Sequence, residues 1–112
     1  MNEVLTSLKA VSEALRARLL ILLRDREACV CELMSVYDMA QSKLSHHLIT
    51  LRDAGFLQVE RRGKWNYYRT NADSAVKRDL LFSLSRWLTD DETVDRDRKK
   101  LEKVRKQLCC GS

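Results

Sequence analysis

The chain of 112 residues has no proline, only three glycines and no long apolar run. Spanning a bilayer takes roughly 20 apolar residues in succession. The apolar stretch at residues 19–23 is short and is flanked by Arg18 and Arg24, which indicates a buried helical stripe. Near the start, Glu3 and Lys9 interrupt any apolar segment of a secretory signal. We therefore expect a protein that associates with no membrane and works in the reducing cytoplasm.

Sequence motifs of the common enzyme classes are also missing. There is no glycine-rich phosphate loop, no Cys-x-x-Cys beside a βαβ pattern and no acid–base pair in an evident pocket. In a reducing compartment, the four cysteines favour metal or redox chemistry over structural disulfides. The sequence therefore predicts a protein that is not an enzyme and that needs no organic cofactor.

Length and charge indicate one domain with a polyanionic partner. Residues 1–112 contain no internal repeat, low-complexity segment or linker, and a chain of this length supports one small core. We expect a single domain that gains further burial from a partner subunit. The formal net charge of +5 favours binding to a nucleic acid, although many basic proteins bind none.

The spacing of apolar residues predicts several helices in the first third of the chain. Across residues 1–24, apolar side chains recur every three or four positions, which predicts two N-terminal helices. We expect the break near Ser12 and Glu13, with Ser12 as the N-cap of the second helix. A third, short helix is expected from Cys29 to Tyr37.

The helix with the strongest pattern spans residues 41–54. Leu44, Leu48 and Leu51 form one inward stripe, and Gly55 can end the helix by adopting a left-handed conformation. The short helix before it and this helix, which is polar at its start, have the outline of a helix-turn-helix across residues 28–54.

Residues 56–70 have the pattern of a β-hairpin. Apolar and polar side chains alternate, a turn is expected at residues 62–64, and the second half is rich in strand-favouring aromatic residues. A hairpin directly after a helix-turn-helix is the wing of a winged helix-turn-helix. The expected fold is therefore mainly α with a small β-hairpin.

The sequence pattern at residues 73–108 predicts C-terminal helices, and a cysteine-containing tail follows at residues 109–112. Asp73 or Ser74 is the expected cap of the first helix, and Thr89 with Glu92 fits a capping box for the second. The apolar face of the first helix is larger than a lone helix exposes, so something must cover it. The solvent-exposed face of the last helix is expected to carry a run of charged residues: Arg96, Arg98, Lys99, Lys100, Lys103, Arg105 and Lys106, interleaved with Asp95, Asp97 and Glu102.

Five short motifs follow one another in a specific order: Cys29-Val30-Cys31-Glu32-Leu33, Lys43-Leu44-Ser45-His46-His47-Leu48, Leu51-Arg52-Asp53-Ala54-Gly55, Arg61-Arg62-Gly63-Lys64 and Tyr67-Tyr68. Together they resemble the arsenic-responsive branch of the ArsR/SmtB family of metal-sensing repressors, over roughly residues 8–70. The resemblance implies a homodimeric winged helix-turn-helix protein that represses its own operon. It also implies release from an inverted-repeat DNA operator when arsenic(III) or antimony(III) binds as the inducer.

The candidate metal ligands are the four cysteines: Cys29, Cys31, Cys109 and Cys110. In a helix of 3.6 residues per turn, Cys29 and Cys31 would point about 200° apart. They can share one thiophilic ion only at the frayed start of the helix, or if the ion unwinds it. We expect binding to deform the helix that supports the recognition helix, so that the DNA-fitting geometry is lost.

The number of thiolates leaves the inducer open. The family pattern places a third cysteine three residues after the second, where this chain has Met34. Arsenic(III) takes three thiolates, so Cys109 or Cys110 of the same or the partner subunit would supply the third. Alternatively, Cys109 and Cys110 alone bind an organoarsenical, all four cysteines hold cadmium, lead or zinc, or the thiols sense peroxide. A different class of function is a protein-interaction module that uses the fold without DNA.

The candidate DNA contacts on the recognition helix are polar and lie opposite or beside the inward leucines: Gln41, Ser42, Lys43, Ser45 and His46. Gln41, Ser45 and His46 suit base edges, whereas Ser42 and Lys43 suit phosphates. His47 lies nearer the buried side and is interpreted as structural. Basic residues at the hairpin tip add contacts to the minor groove or backbone of double-stranded DNA: Arg61, Arg62 and Lys64.

Overall fold

A computed structural model of the chain describes residues 1–107 and contains, within that range, six helices and three strands. The helices are α1 (Asn2–Val11), α2 (Ala14–Asp25), α3 (Val30–Tyr37), α4 (Gln41–Asp53), α5 (Ala75–Trp87) and α6 (Glu92–Gln107). The strands are β1 (Ala28–Cys29), β2 (Leu57–Arg62) and β3 (Trp65–Thr70). The predicted fold class, mainly α with a winged helix-turn-helix, is confirmed. In the described range, no helix is both long and apolar enough to cross a membrane.

The core forms where α2, α3 and α4 bring their apolar faces together. The predicted stripe of Leu44, Leu48 and Leu51 is fully buried on α4. The central helix α2 buries residues 19–23 on several sides, which confirms that this apolar stretch belongs to the interior. Gly55 follows α4 with φ +88°, a conformation that glycine adopts without steric cost. The chain then turns sharply, so that the fully buried Phe56 enters the core just before the wing.

The wing belongs to a three-stranded antiparallel sheet in the order β1-β3-β2. Strands β2 and β3 form the predicted hairpin, with Leu57 opposite Thr70 and Arg62 opposite Trp65. The sequence did not predict β1, which pairs Cys29 with Tyr67. A strand of two residues has no detectable alternation of its own, so only its pairing with β3 defines it.

Two of the predicted helix caps are wrong. Ser12 ends α1, where its hydroxyl donates to the Lys9 carbonyl, and the Glu13 carboxylate caps α2 by accepting from the Arg16 amide. Thr89 donates its hydroxyl to the Ser85 carbonyl and does not open α6.

Aspartate and serine provide the caps of the two C-terminal helices. The Asp91 carboxylate accepts hydrogen bonds from the amides of Thr93 and Val94 at the start of α6. Ser74, one of the two expected caps, accepts from the Lys77 amide at the start of α5. Both caps satisfy amides that a helix start leaves without intrahelical partners.

The prediction that the charged residues of α6 all lie on a solvent-exposed face is wrong at two positions. Asp97 is 2 % exposed and accepts two hydrogen bonds from the Arg18 guanidinium, at 2.8 and 3.0 Å. Arg105 reaches inward to the buried carboxylate of Glu32. These ion pairs join α6 to α2 and α3, because a buried carboxylate needs a charged or hydrogen-bonding partner.

Candidate functional site

Cys29 and Cys31 lie side by side at the start of α3. Cys29 is the last residue of β1 and the N-cap of α3, with the extended angles φ −92° and ψ 166°, whereas Cys31 lies in the first helical turn. Their Sγ atoms are 3.0 Å apart. Because Cys29 lies outside the helix, the divergence of about 200° expected inside a regular helix does not arise. Of the two arrangements that the sequence left open, the structure shows the one at the helix start.

The buried carboxylate of Glu32 holds this helix start in place. Glu32 is 4 % exposed, and its Oε1 accepts a hydrogen bond from the Cys29 amide at 3.0 Å. Its Oε2 accepts from Nε of Arg105 on α6, also at 3.0 Å. The Arg105 guanidinium donates a further hydrogen bond to the Glu27 carbonyl. The Cys29 amide and the Glu27 carbonyl are thus both bound to groups that connect this segment to α6.

A second set of contacts connects the thiol pair to the wing. Cys29 pairs with Tyr67 of β3, and the preceding Glu27 accepts hydrogen bonds from the Arg62 guanidinium, one of them at 2.9 Å. That guanidinium also bonds Glu60 and lies 4.7 Å from the centre of the Tyr67 ring. Hydrogen bonds with Glu60 and Glu27 raise the pKa of Arg62. Among the described residues, Arg62 is the predicted wing contact that forms ion pairs, whereas Nζ of Lys64 lies 5.4 Å from the centre of the Trp65 ring.

The described residues bring two cysteines together and no third strong ligand. Across residues 1–107, no group of three or more His, Cys, Asp or Glu side chains could hold a metal ion. Met34 lies one helical turn beyond Cys31, and the two residues line the same open groove. Cys109 and Cys110 lie outside the described residues. The structure therefore fits a soft ion at two thiolates within the described range.

The predicted recognition helix presents most of its polar residues to solvent. Gln41, Ser42, Lys43 and His46 are exposed and Ser45 is partly exposed. They lie on the side of α4 away from its buried leucines, so a DNA groove could approach them. The hairpin tip adds exposed basic residues at positions 61 and 64.

His47 is largely buried, in keeping with its interpretation as a structural residue. Its side chain is 12 % exposed, and Nδ1 lies 3.8 Å from the Glu13 carboxylate and 3.4 Å from Nη1 of Arg16. Burial lowers the pKa of His47, with Arg16 acting in the same direction and Glu13 opposing them. The neutral imidazole thus packs between α4 and α2, away from the exposed polar face.

Comparison with known proteins identifies the family of this chain. Residues 14–59 match the family model described as bacterial regulatory protein, arsR family. The arsenic resistance transcriptional regulator ArsR2 of Pseudomonas putida is 38% identical over 108 residues, covering 91% of this chain and 93% of the relative. The chain belongs to the ArsR family. The regulator ArsR1 of the same organism is 36% identical over 100 residues, which cover 81% of this chain and 78% of that relative.

The fold agrees with a solved structure of similar sequence. HlyU from Vibrio cholerae superposes with a TM-score of 0.71 at 28% identity, covering 80% of this chain and 95% of that one. The agreement extends over most of this ArsR-family chain, beyond the region that the family model matches.

Sequence reasoning missed three residues that organise the thiol pair of this ArsR-family chain: Glu27, Glu32 and Arg105. Glu32 had a local signal, because it lies three residues after the N-cap, where a capping box places Glu or Gln. Cysteine in place of Ser or Thr at the cap obscured that pattern. Glu27 and Arg105 act through partners far away in sequence, so no local pattern could have identified them.

Proposed function

We propose that this protein is a transcriptional repressor that binds double-stranded operator DNA and is released when arsenite or antimonite binds Cys29 and Cys31. The observation that carries the proposal is the contact between two thiol sulfurs, 3.0 Å apart, at the start of the helix that precedes the recognition helix. Membership of the ArsR family and the names of the two relatives, both arsenic resistance transcriptional regulators, support it. Soft thiolates prefer soft ions such as arsenic(III).

The third thiolate for arsenic(III) comes from the C-terminal tail in this proposal. Arsenous acid, As(OH)₃, exchanges three hydroxyls for the sulfurs of three thiols, and each thiol proton leaves with a hydroxyl as water, so that arsenic stays trivalent. The packing of α6 against α3 supports the tail as the source, because Arg105 bonds Glu32 next to the thiol pair. Cys109 follows Arg105 by only four residues. Coordination by Cys109 or Cys110, from the same or the partner subunit, would complete the set.

We propose that the protein binds DNA as a homodimer. Helices α1 and α5 contact each other and leave large apolar side chains exposed. The exposed fractions are 41% for Val4, 49% for Leu5 and 45% for Leu8 on α1. On α5, Phe82 is 61% and Trp87 is 65% exposed. Covering this surface with a second copy would stabilise the fold and would place two recognition helices on an inverted-repeat operator.

Release of the DNA would follow from the contacts that connect the thiol pair to the wing and to α4. The site is joined to the wing through the pairing of Cys29 with Tyr67 and through the Glu27–Arg62 ion pair. It is joined to α4 through α3, which packs directly against α4. Since the sulfurs are already adjacent, the ion need not unwind α3, and a ligand drawn in from the tail would instead displace α6, β1 or the wing. By linkage, DNA must weaken inducer binding by the same factor as inducer weakens DNA binding.

Fluorescence anisotropy of a labelled promoter fragment tests this function. We expect tight binding by the wild type and loss of binding when arsenite is added. Cys29→Ser and Cys31→Ser should bind the fragment but no longer respond to arsenite. The double variant Cys109→Ser/Cys110→Ser tests the tail. A wild-type protein that binds the promoter equally well with and without arsenite would contradict the proposal.

The same assay separates the remaining inducers. Cadmium, lead or zinc as the inducer would require all four thiolates for a tetrahedral site, so thiol titration of the loaded protein would find none accessible. Release by peroxide in the absence of metal would indicate a redox-sensing repressor. An interaction module without DNA function would show no salt-dependent affinity for any duplex.

A further inference from the structure

Ile49 is an apolar residue on the otherwise polar outer face of the recognition helix, and it is 45% exposed. Among residues 1–107, the other exposed large apolar side chains lie at Met1 and on α1 and α5, so α4 carries this one alone. At about 100° per residue, Ile49 lies about 20° from Ser42 and about 40° from Ser45 around the helix axis. It therefore points to the same side of α4 as the predicted DNA contacts.

The neighbouring helices leave the side chain of Ile49 accessible from outside. Around the helix axis it lies about 140° from Leu44, which is fully buried in the core. The cleft where α1 meets α4 is lined by Thr6, Thr50 and Ala54, among others. Thr50 points about 100° away from Ile49. A molecule that approaches the outer face of α4 would therefore meet Ile49 directly.

An aliphatic side chain in the major groove of DNA has one favourable partner among the base edges. Those edges present hydrogen-bond donors and acceptors, and their apolar group is the 5-methyl of thymine. Isoleucine has no polar side-chain atom, so against a donor or acceptor it would displace water without replacing the lost hydrogen bond. Against the thymine methyl it removes apolar surface from water. The side chain of Ile49 thus fits thymine and disfavours the other bases at one position.

We propose that Ile49 determines sequence specificity by packing against the 5-methyl group of one thymine in each half of the operator. This inference rests on the proposed function and adds an apolar base contact to the polar contacts of α4. Ser45 and His46 lie one helical turn before Ile49, about 5 Å along the helix axis. Since neighbouring base pairs are about 3.4 Å apart, the thymine should lie one or two base pairs from those that Ser45 and His46 contact.

Exchange of thymine for uracil isolates this contact. Duplexes that the full-length wild type prefers are first selected from a random pool. In the selected duplex, 2′-deoxyuridine, which lacks the 5-methyl group and keeps the hydrogen-bonding edge, then replaces each thymine in turn. At one thymine of each half-site, the wild type should bind about fourfold more weakly, because burial of one methyl-sized group contributes about 0.8 kcal/mol. Fluorescence anisotropy measures each affinity, and a wild type that tolerates every exchange would overturn the inference.

Two substitutions at Ile49 assign the effect to this side chain. Ile49→Ala should bind the all-thymine duplex at least fourfold more weakly than the wild type and should lose no further affinity when uracil replaces the sensitive thymine. Ile49→Val keeps a branched apolar side chain, so this control should retain most of the sensitivity to uracil. If Ile49→Ala and the wild type lose the same affinity at every exchanged thymine, Ile49 does not contact a base.

Failure of the inference is distinguishable from failure of the proposed function. If the wild type selects an inverted repeat and is released by arsenite, while Ile49→Ala leaves every uracil effect unchanged, the repressor function stands and the thymine contact does not. If Ile49→Ala removes the uracil effect but arsenite never releases the duplex, the thymine contact stands and the proposed inducer fails. A wild type that enriches no sequence from the pool would overturn both.

Discussion

Removing the guanidinium of Arg105 should destabilise the fold and loosen the thiol pair at the same time. In the native structure this group donates to the buried Glu32 carboxylate and to the Glu27 carbonyl, on either side of Cys29 in sequence. Among residues 1–107, the substitution Arg105→Ala leaves the Glu32 carboxylate bound only by the Cys29 amide. A buried carboxylate that loses its cation must be hydrated, protonated or expelled.

The size of the effect follows from how far the pair is buried. Removing one partner of a fully buried ion pair costs about 3–5 kcal/mol. Here the Glu32 side chain is 6% exposed but that of Arg105 is 33% exposed, so water can partly replace the guanidinium. We therefore expect a loss of about 2 kcal/mol in the free energy of unfolding.

Urea denaturation followed by circular dichroism measures this loss. With a slope of about 2 kcal/mol per molar urea, the midpoint should fall by about 1 M. Lys103→Ala, an exposed position on the same helix, is the matched control and should shift it little. All variants are compared at one protein concentration because dimerisation would contribute to stability. If Arg105→Ala and Lys103→Ala unfold at the same urea concentration, the reasoning about this buried pair is refuted.

Three further predictions concern the turn, the wing and the pH response. Asp38→Val should lower the free energy of unfolding by about 1–2 kcal/mol, because a β-branched residue is strained at φ 50°. Asp38→Gly should not lower it, and thermal denaturation of the two variants measures the difference. Arg61→Ala should flatten the slope of log affinity against log salt by about one unit for specific and unrelated DNA, and an unchanged slope would remove Arg61 from the interface. Burial lowers the pKa of His47 in the folded state. Below about pH 6.5 the chain therefore takes up a proton at His47 when it unfolds, and the free energy of unfolding decreases as the pH falls further. His47→Gln should weaken this acid sensitivity in urea titrations at pH 5 to 7, and an identical pH profile would contradict the assignment.

Local patterns account for the parts of the fold that were predicted correctly. The stripe of Leu44, Leu48 and Leu51 predicted α4, and Gly55 predicted its end, because one face of a helix must be apolar and a left-handed residue stops it. The hairpin followed from alternation and from the turn at Gly63, which has φ +62°. Such features depend only on residues close together in the chain.

The caps were harder to predict because several polar side chains compete at each helix start. Ser12 and Glu13 are both able to cap α2, and Thr89 and Asp91 are both able to cap α6. Their local preferences are similar. The packing of each helix against its neighbours selects which turn begins the helix and therefore which side chain meets the free amides.

By itself, the sequence determined that two cysteines stand at the start of a helix-turn-helix and that a basic hairpin follows it. Only the tertiary structure decided that their sulfurs meet. Cys29 leaves the helix because its backbone pairs with Tyr67 in the wing and its amide bonds Glu32, which Arg105 holds from the last helix. These partners lie far apart in the chain, and their hydrogen bonds form only once the core has brought the wing and α6 to the start of α3.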